Sequence, residues 1–315
     1  MTATQSPPAP AGAGPGDEAL AQLGVHRIVV PIPFVEAGGN VNAYVIDNPD
    51  GSLTMFDAGL GTEEGKRALA AGFAALGRSF AEVRRIIVSH GHIDHYGAAR
   101  HVRDHSGARV LVHPRDAEKI LAEDTIRLES LWPYLVNLGI PEEKVRRMAE
   151  MYRTRPVFAD VVDQAEPLAP GQRYEFRHFA GEILHLPGHT PGLSCLYSAE
   201  HRLIFTADHL LARISPNPLI ELGERGEEDK FRALGTYLES IKRLEAMDLE
   251  WIAPGHGAPF TGHRTVIAGL QAFYRKRQAR ILQALEPGPL TAFELLLAVF
   301  NRERTAEIYL MISEI

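Results

Sequence analysis

Apolar residues in the N-terminal third of the chain fall into short runs separated by turn residues. Positions 26–34 (HRIVVPIPF), 41–47 (VNAYVID) and 53–56 (LTMF) read as β-strands, the last closing on the turn Asp57-Ala58-Gly59. A helix is predicted over 62–76, with Glu63 and Glu64 in its first turn, where acidic side chains complement the positive end of the helix dipole. The apolar run 83–88 is a further strand that ends at Ser89-His90; 97–106 is predicted helical and 109–112 (RVLV) a strand. Strands alternating with helices imply an α/β (α+β) layering with the helices outside.

The pattern changes over 114–160. Helices are predicted at 114–122, 126–138 and 141–152, carrying Trp132, Tyr134, Met148, Met151 and Tyr152, with Phe158 just beyond. This reads as a helical insertion between two sheet halves, either a packing element or a wall over a site. Strands resume at 173–186, 193–198 and 202–206, the last two paired as a hairpin across SAEHR. A helix follows over 228–246, then a short strand at 251–253. From 264 to 286 a long helix carries Arg275, Lys276, Arg277 and Arg280; Pro287-Gly288-Pro289 breaks it, and helices at 291–300 and 304–315 complete the chain. Residues 1–22, Ala/Pro/Gly-rich at the start, are expected to form a disordered tail. The organisation is thus a tail, a catalytic domain over 23–262 with its insertion, and a helical region over 263–315 that lacks the β-hairpin a winged helix needs.

Composition narrows the function classes. Of 315 residues, 45% are hydrophobic and 23% charged, which is ordinary for a globular protein. The net charge of −7 disfavours a generic polyanion binder. The 263–315 region holds seven Lys/Arg and five Glu, too mild an excess to indicate nucleic acid. Cys195 is the sole cysteine, so neither an intrachain disulfide nor a cysteine-based zinc site can form. No apolar run approaches the roughly 20 residues of a membrane helix, and positions 1–16 lack the basic start of a signal peptide. The cytoplasm is the default expectation, as is a homodimer.

The chemistry concentrates in four segments. His90-Gly91-His92-Ile93-Asp94-His95 places four candidate metal donors in one loop after a strand. In an extended loop His90 and His92 point one way, and Asp94 and His95 can turn to a second site beside it. Imidazole and carboxylate suit zinc, iron or manganese. A bare cluster of such groups would be expensive to bury. Pro187-Gly188-His189-Thr190-Pro191-Gly192, Thr206-Ala207-Asp208-His209 and Pro254-Gly255-His256-Gly257 each put a further donor at a strand end. Any one alone is more often a solvated turn; the four together in this order are not.

With those motifs in place, the chain resembles the metallo-β-lactamase superfamily over about residues 23–262. The resemblance implies an αββα sandwich with metal donors on loops along one edge. It implies that His90, His92 and His189 hold one metal, that Asp94, His95 and His256 hold a second, and that Asp208 bridges them. Asp57 matches a supporting acidic position that would orient a ligand histidine. His209 has no donor slot and is expected to support the site, line its pocket or simply pack. The remaining histidines and Cys195 read as structural. The implied cofactors are two divalent ions, zinc first, with manganese or iron as alternatives. Two such ions can share a hydroxide that attacks an electrophilic centre, with Asp94 and Asp208 as the catalytic carboxylates. No G-x-S-x-G nucleophile elbow is present.

The small-molecule substrate is expected to be a thioester, as in glyoxalase II, or a lactone. The aromatic and Met-rich insertion favours a small, partly apolar molecule over a phosphodiester. Part of the C-terminal region resembles a subgroup, hydroxyacylglutathione hydrolase-like or ribonuclease-like, with a short winged-helix-like tail. That keeps a phosphodiesterase or ribonuclease as an alternative. Iron-dependent persulfide oxidation and a non-catalytic binding module are the other two, each disfavoured by the complete second donor set.

Overall fold

A computed structural model describes residues 14–33, 39–121, 125–154, 158–222, 230–300 and 307–315. Two sheets carry the fold. The first has six strands in the order β1 (Val25–Val30), β2 (Val41–Asp47), β3 (Leu53–Phe56), β4 (Val83–Ile87), β5 (Arg109–Val112) and β6 (Glu166–Pro167). Its first three strands pair antiparallel; β3 to β6 run parallel. The second sheet orders β11 (Trp251–Pro254), β10 (Leu203–Ala207), β9 (Ser194–Ser198), β8 (Ala180–His185) and β7 (Arg173–Glu175). It is antiparallel except for β10 against β11.

The period-two pattern of β2 shows how the layers form. Val41, Ala43 and Val45 face one core, under α2 (Glu63–Ala75) and α4 (Ala99–Ser106), with Leu69, Phe73 and Val102. Tyr44 and Ile46 face the other, between the sheets, where they meet Phe56, Ile183, Leu196 and Phe205. Tyr44 and Phe205 meet edge to face at 5.2 Å between ring centroids. A third core lies outside the second sheet. There Leu186, Cys195, Ile204 and Ile252 pack on α8 (Ala233–Ala246) and α9 (His263–Leu285) through Tyr237, Ile241, Leu244 and Ile267. The stack is helix, sheet, sheet, helix. Central strands buried on both faces read in sequence as continuous apolar runs.

A fourth core differs from the expected division. The insertion helices α6 (Thr125–Asn137) and α7 (Glu142–Thr154) share it with α10 (Ala292–Phe300) and α11 (Ile308–Ile312). Leu131, Leu135, Val145 and Met148 meet Phe293, Leu296, Ile308 and Met311. Insertion and C-terminal region are therefore one helical unit, because neither helix pair alone can cover its apolar face.

The expected tail is also corrected at its end. Residues 15–22 form helix α1 (Pro15–Gln22), started by Pro15 and a reciprocal cap between Gly14 and Asp17. Leu20 is buried, and Asp17 takes Arg27 Nε at 2.6 Å and Nη2 at 2.7 Å. One apolar anchor and one two-pronged ion pair order a segment whose composition suggested disorder. Residues 1–13, Phe34, Ala122, and positions 228–229 and 304–306 of the expected elements lie outside the described residues. Among the described residues beyond 262 there is no strand.

Candidate metal centre

Every candidate donor follows the C-terminal end of a strand. Asp57 follows β3, the His90–His95 loop follows β4, His189 follows β8, Asp208 follows β10 and His256 follows β11. Strand ends in both sheets thus meet along one edge, the usual location of sites in open α/β sheets. Backbone strain gathers there too: Asp57 has φ of 60° and Ala207, just before Asp208, has 45°. A Cβ on Gly255 would lie 2.3 Å from Asp208 Oδ1, so only glycine lets the His256 loop approach this closely.

The seven expected donors come together as two sets. In the first, His92 Nδ1 lies 3.0 Å from His90 Nε2 and 2.9 Å from His189 Nε2. In the second, His256 Nε2 lies 3.4 Å from Asp94 Oδ2, and His95 Nε2 lies 3.8 Å from the same oxygen. Asp208 stands between the sets, 3.6 Å from His189 Nε2 through Oδ2, 3.4 Å from His95 Nε2 through Oδ1, and 3.4 Å from His256 Nε2. Donors around one ion at bond lengths of about 2.0–2.2 Å stand roughly 3.3 Å apart, so these separations fit a divalent cation.

The outer nitrogens fix the tautomers. His95 Nδ1–H donates to Asp57 Oδ2 at 2.7 Å, His189 Nδ1–H to the Asn217 carbonyl at 2.9 Å, and His256 Nδ1–H to the Asn40 carbonyl at 3.1 Å. Ser89 donates its backbone N–H and its hydroxyl to Asp57, which leaves its Oγ to accept from His90 Nδ1–H at 2.9 Å. In the neutral rings the Nε2 atoms that face the centre are then lone pairs. His92 Nδ1 faces two of them and can donate to only one. His95 Nε2 and Asp208 Oδ1 are buried without any hydrogen-bond partner. Converging lone pairs and an unmatched buried carboxylate oxygen are the demand that a cation satisfies.

Electrostatics divide the sets. Burial and the neighbouring imidazoles hold His90 and His92 well below the usual histidine range, and burial lowers His189. Neutral imidazole is the form that binds metal. Burial opposes charge on His95 and His256 as well, but the carboxylates outweigh it. Asp208, Asp94 and Asp57 raise His95 well above its usual value, and Asp208 and Asp94 raise His256 to about 10. Asp208 in turn is held far below the carboxylate range, where burial is outweighed by His256 and His95.

Asp57 meets His95 through the bond given above. His209 is fully buried, its ring meets Tyr237 at 5.3 Å, and neither ring nitrogen is hydrogen-bonded. It is a core residue beside the site, placed by the strand-end geometry that turns Asp208 toward the donors. Cys195, on β9, is buried, as expected of a structural residue. Sequence reading missed Ser89, Asn40, Asn217 and Asp116. Ser89 directly precedes a visible motif; Asp116 lies far from all of them in sequence, and the two asparagines act through backbone carbonyls, which any residue type offers.

Comparison with known proteins follows the geometry. The family model described as "Metallo-beta-lactamase superfamily" matches residues 37–256. "Probable metallo-hydrolase YqjP" of Bacillus subtilis is 26% identical, covering 92% of this chain and 89% of that protein. "Acyl-coenzyme A thioesterase MBLAC2" of Gallus gallus is 24% identical over 73% of this chain and 77% of its own length. The solved metallo-beta-lactamase family protein TTHA1429 of Thermus thermophilus superposes with a TM-score of 0.76 at 28% identity, covering 92% of this chain and 91% of that one.

Proposed function

The chain belongs to the metallo-beta-lactamase superfamily and is a metal-dependent hydrolase, and from that premise we propose a binuclear enzyme that cleaves a thioester or lactone. The observation that carries this reading is the place of Asp208, whose carboxylate lies within 3.6 Å of His189 in one donor set and 3.4 Å of His95 and His256 in the other. His90, His92 and His189 would hold one ion and Asp94, His95 and His256 the second, with Asp208 shared. The donor chemistry, imidazole with few carboxylates, suits zinc.

Bound divalent ions supply Lewis acidity and a water acidic enough to act near neutral pH. The protein's own groups do the rest. Asp57, Asn217 and Asn40 take the outer Nδ1–H of His95, His189 and His256, so each ring is held with Nε2 aimed at the centre. Asp94, only partly buried, would take the proton released by the attacking water. Ser89 is no nucleophile: it is fully buried and its hydroxyl proton is committed to Asp57.

The thioester assignment draws on two supports. One similar protein is named as an acyl-coenzyme A thioesterase. The other is the aromatic and methionine content of the insertion, Trp132, Tyr134 and Met148 among it, which suits a partly apolar molecule over a phosphodiester. The test is a panel of acyl thioesters, lactones and an aryl phosphodiester on protein of measured metal content. Turnover of thioester or lactone that tracks two metals per chain supports the reading. Turnover of the phosphodiester alone overturns the substrate class.

A further inference from the structure

A buried carboxylate outside the seven donors touches both loops that carry the His90, His92 and His189 set. Asp116 lies in the first turn of α5 (Pro114–Leu121) and is fully buried. Its Oδ2 accepts from the Gly91 amide at 3.0 Å and from Thr190 Oγ1 at 2.6 Å. Its Oδ1 accepts from Lys119 Nζ at 2.9 Å and from the Gly192 amide at 3.2 Å. Gly91 sits between His90 and His92, while Thr190 and Gly192 belong to the turn of His189. A Cβ on Gly192 would lie 2.7 Å from Asp116 Cγ, so that turn is pressed against the carboxylate. Lys119 continues the network to Glu221, on the segment whose Asn217 carbonyl receives His189 Nδ1–H.

The two loops leave different sheets, β4 in one and β8 in the other, so neither sheet's hydrogen-bond ladder sets the distance between them. The Ser194 amide also reaches the Ser89 carbonyl at 2.9 Å, which ties the loops beside His90 but beyond the turn that carries His189. A carboxylate whose two oxygens are satisfied by four donors from three segments is a rigid strut. We propose that Asp116 is a positioning residue that fixes the His90–His92 loop against the His189 loop and so preforms this donor set. It acts on that set as Asp57 acts on His95. The inference rests on the binuclear reading above.

The test is cobalt(II) titration of full-length Asp116→Asn and of Thr190→Val, which removes one contact and leaves the carboxylate in place. Stoichiometry, chelator competition and the visible absorption of the bound cobalt are read for each, with circular dichroism on the metal-free proteins. Asp116→Asn is expected to keep its secondary structure, lose about ten- to a hundredfold in affinity for one of two cobalt equivalents, and change the absorption of that equivalent. Thr190→Val should shift both readouts in the same direction by less. Two cobalt ions bound by Asp116→Asn with wild-type affinity and absorption overturn the inference, whatever happens to its melting temperature. Where Asp116→Asn does not fold, Thr190→Val decides by the same two readouts. Wild-type protein that takes up no cobalt sinks the binuclear reading and this inference with it, whereas an unaffected variant beside a metal-loaded wild type sinks this inference alone.

Discussion

Asp57 Oδ2 lies 2.7 Å from His95 Nδ1, and both side chains are buried, at 1% and 0% exposure. The same carboxylate also takes the Ser89 amide and hydroxyl. Removing it in Asp57→Ala strands three donors in a dry environment. The metal-free variant should lose on the order of 3 kcal/mol, the usual consequence of breaking a buried pair. Its metal affinity should also fall by about ten- to a hundredfold. Chemical unfolding of metal-stripped protein and competition against a chromophoric chelator check the two effects separately. An unchanged chelator curve would show that His95 keeps its orientation without Asp57.

Asp208 is the donor that touches both sets, so Asp208→Ala should lower metal content more than the loss of any single histidine. Elemental analysis of protein purified without added metal should give near two ions per wild-type chain and fewer in the variant. One iron per wild-type chain would contradict the binuclear arrangement and favour oxidation chemistry.

Gly255→Ala tests the close approach of the His256 loop without touching a donor. Its Cβ would stand 2.3 Å from Asp208 Oδ1 and 2.8 Å from His95 Cε1, contacts that must be relieved by moving the donors themselves. Hydrolytic activity is expected to fall by two orders of magnitude or more, since about 1 Å of misplacement at a reacting centre can have that effect. Circular dichroism should be unchanged, because the strands on either side are unaffected. Retained activity would mean that the loop has slack which the geometry does not suggest.

The donors themselves were legible in the sequence because each follows an apolar strand in a Gly-, Pro- or Asp-bearing turn, a local pattern. The alternation of strands with outer helices was legible for the same reason, since doubly buried strands such as β2 and β10 are mostly apolar runs, whereas the αββα sandwich followed from the resemblance that the motifs carry. What was not legible is long-range. Nothing local marks Asn217 or Asn40, whose carbonyls hold His189 and His256. Helix α1 hides in an Ala/Pro/Gly-rich stretch, since its order comes from Arg27 and the core around Leu20 rather than from helix propensity. The joint core of α6, α7, α10 and α11 joins segments more than a hundred positions apart in the chain, which no periodicity reveals. For His209 the sequence left pocket and packing both open, and its ring lies on Tyr237.

A stacked histidine pair behind the centre makes the last prediction. His113, 8% exposed, lies parallel to His185 at 4.1 Å between centroids and 12° between planes. Its Nδ1 accepts from the Arg115 amide at 3.2 Å, and His185 Nε2–H donates to the Pro191 carbonyl at 2.9 Å. Burial, and then the neighbouring His185, push His113 down to about 4 from 6.5. The folded chain thus refuses a proton that the unfolded chain binds. Stability is fully present above pH 6.5 and falls as the pH drops from 6.5 toward 4, by at most about 1.4 kcal/mol per pH unit from this residue. His113→Phe keeps a ring in the stack and removes the titration. On metal-stripped protein, so that acid release of metal plays no part, the melting temperature of the wild type should fall between pH 7 and 4 more steeply than that of the variant. The variant should start lower at pH 7, since the Arg115 amide loses its acceptor. Parallel profiles for the two proteins would place the acid sensitivity elsewhere, with His209, pushed down to about 3 by burial, the next residue to substitute.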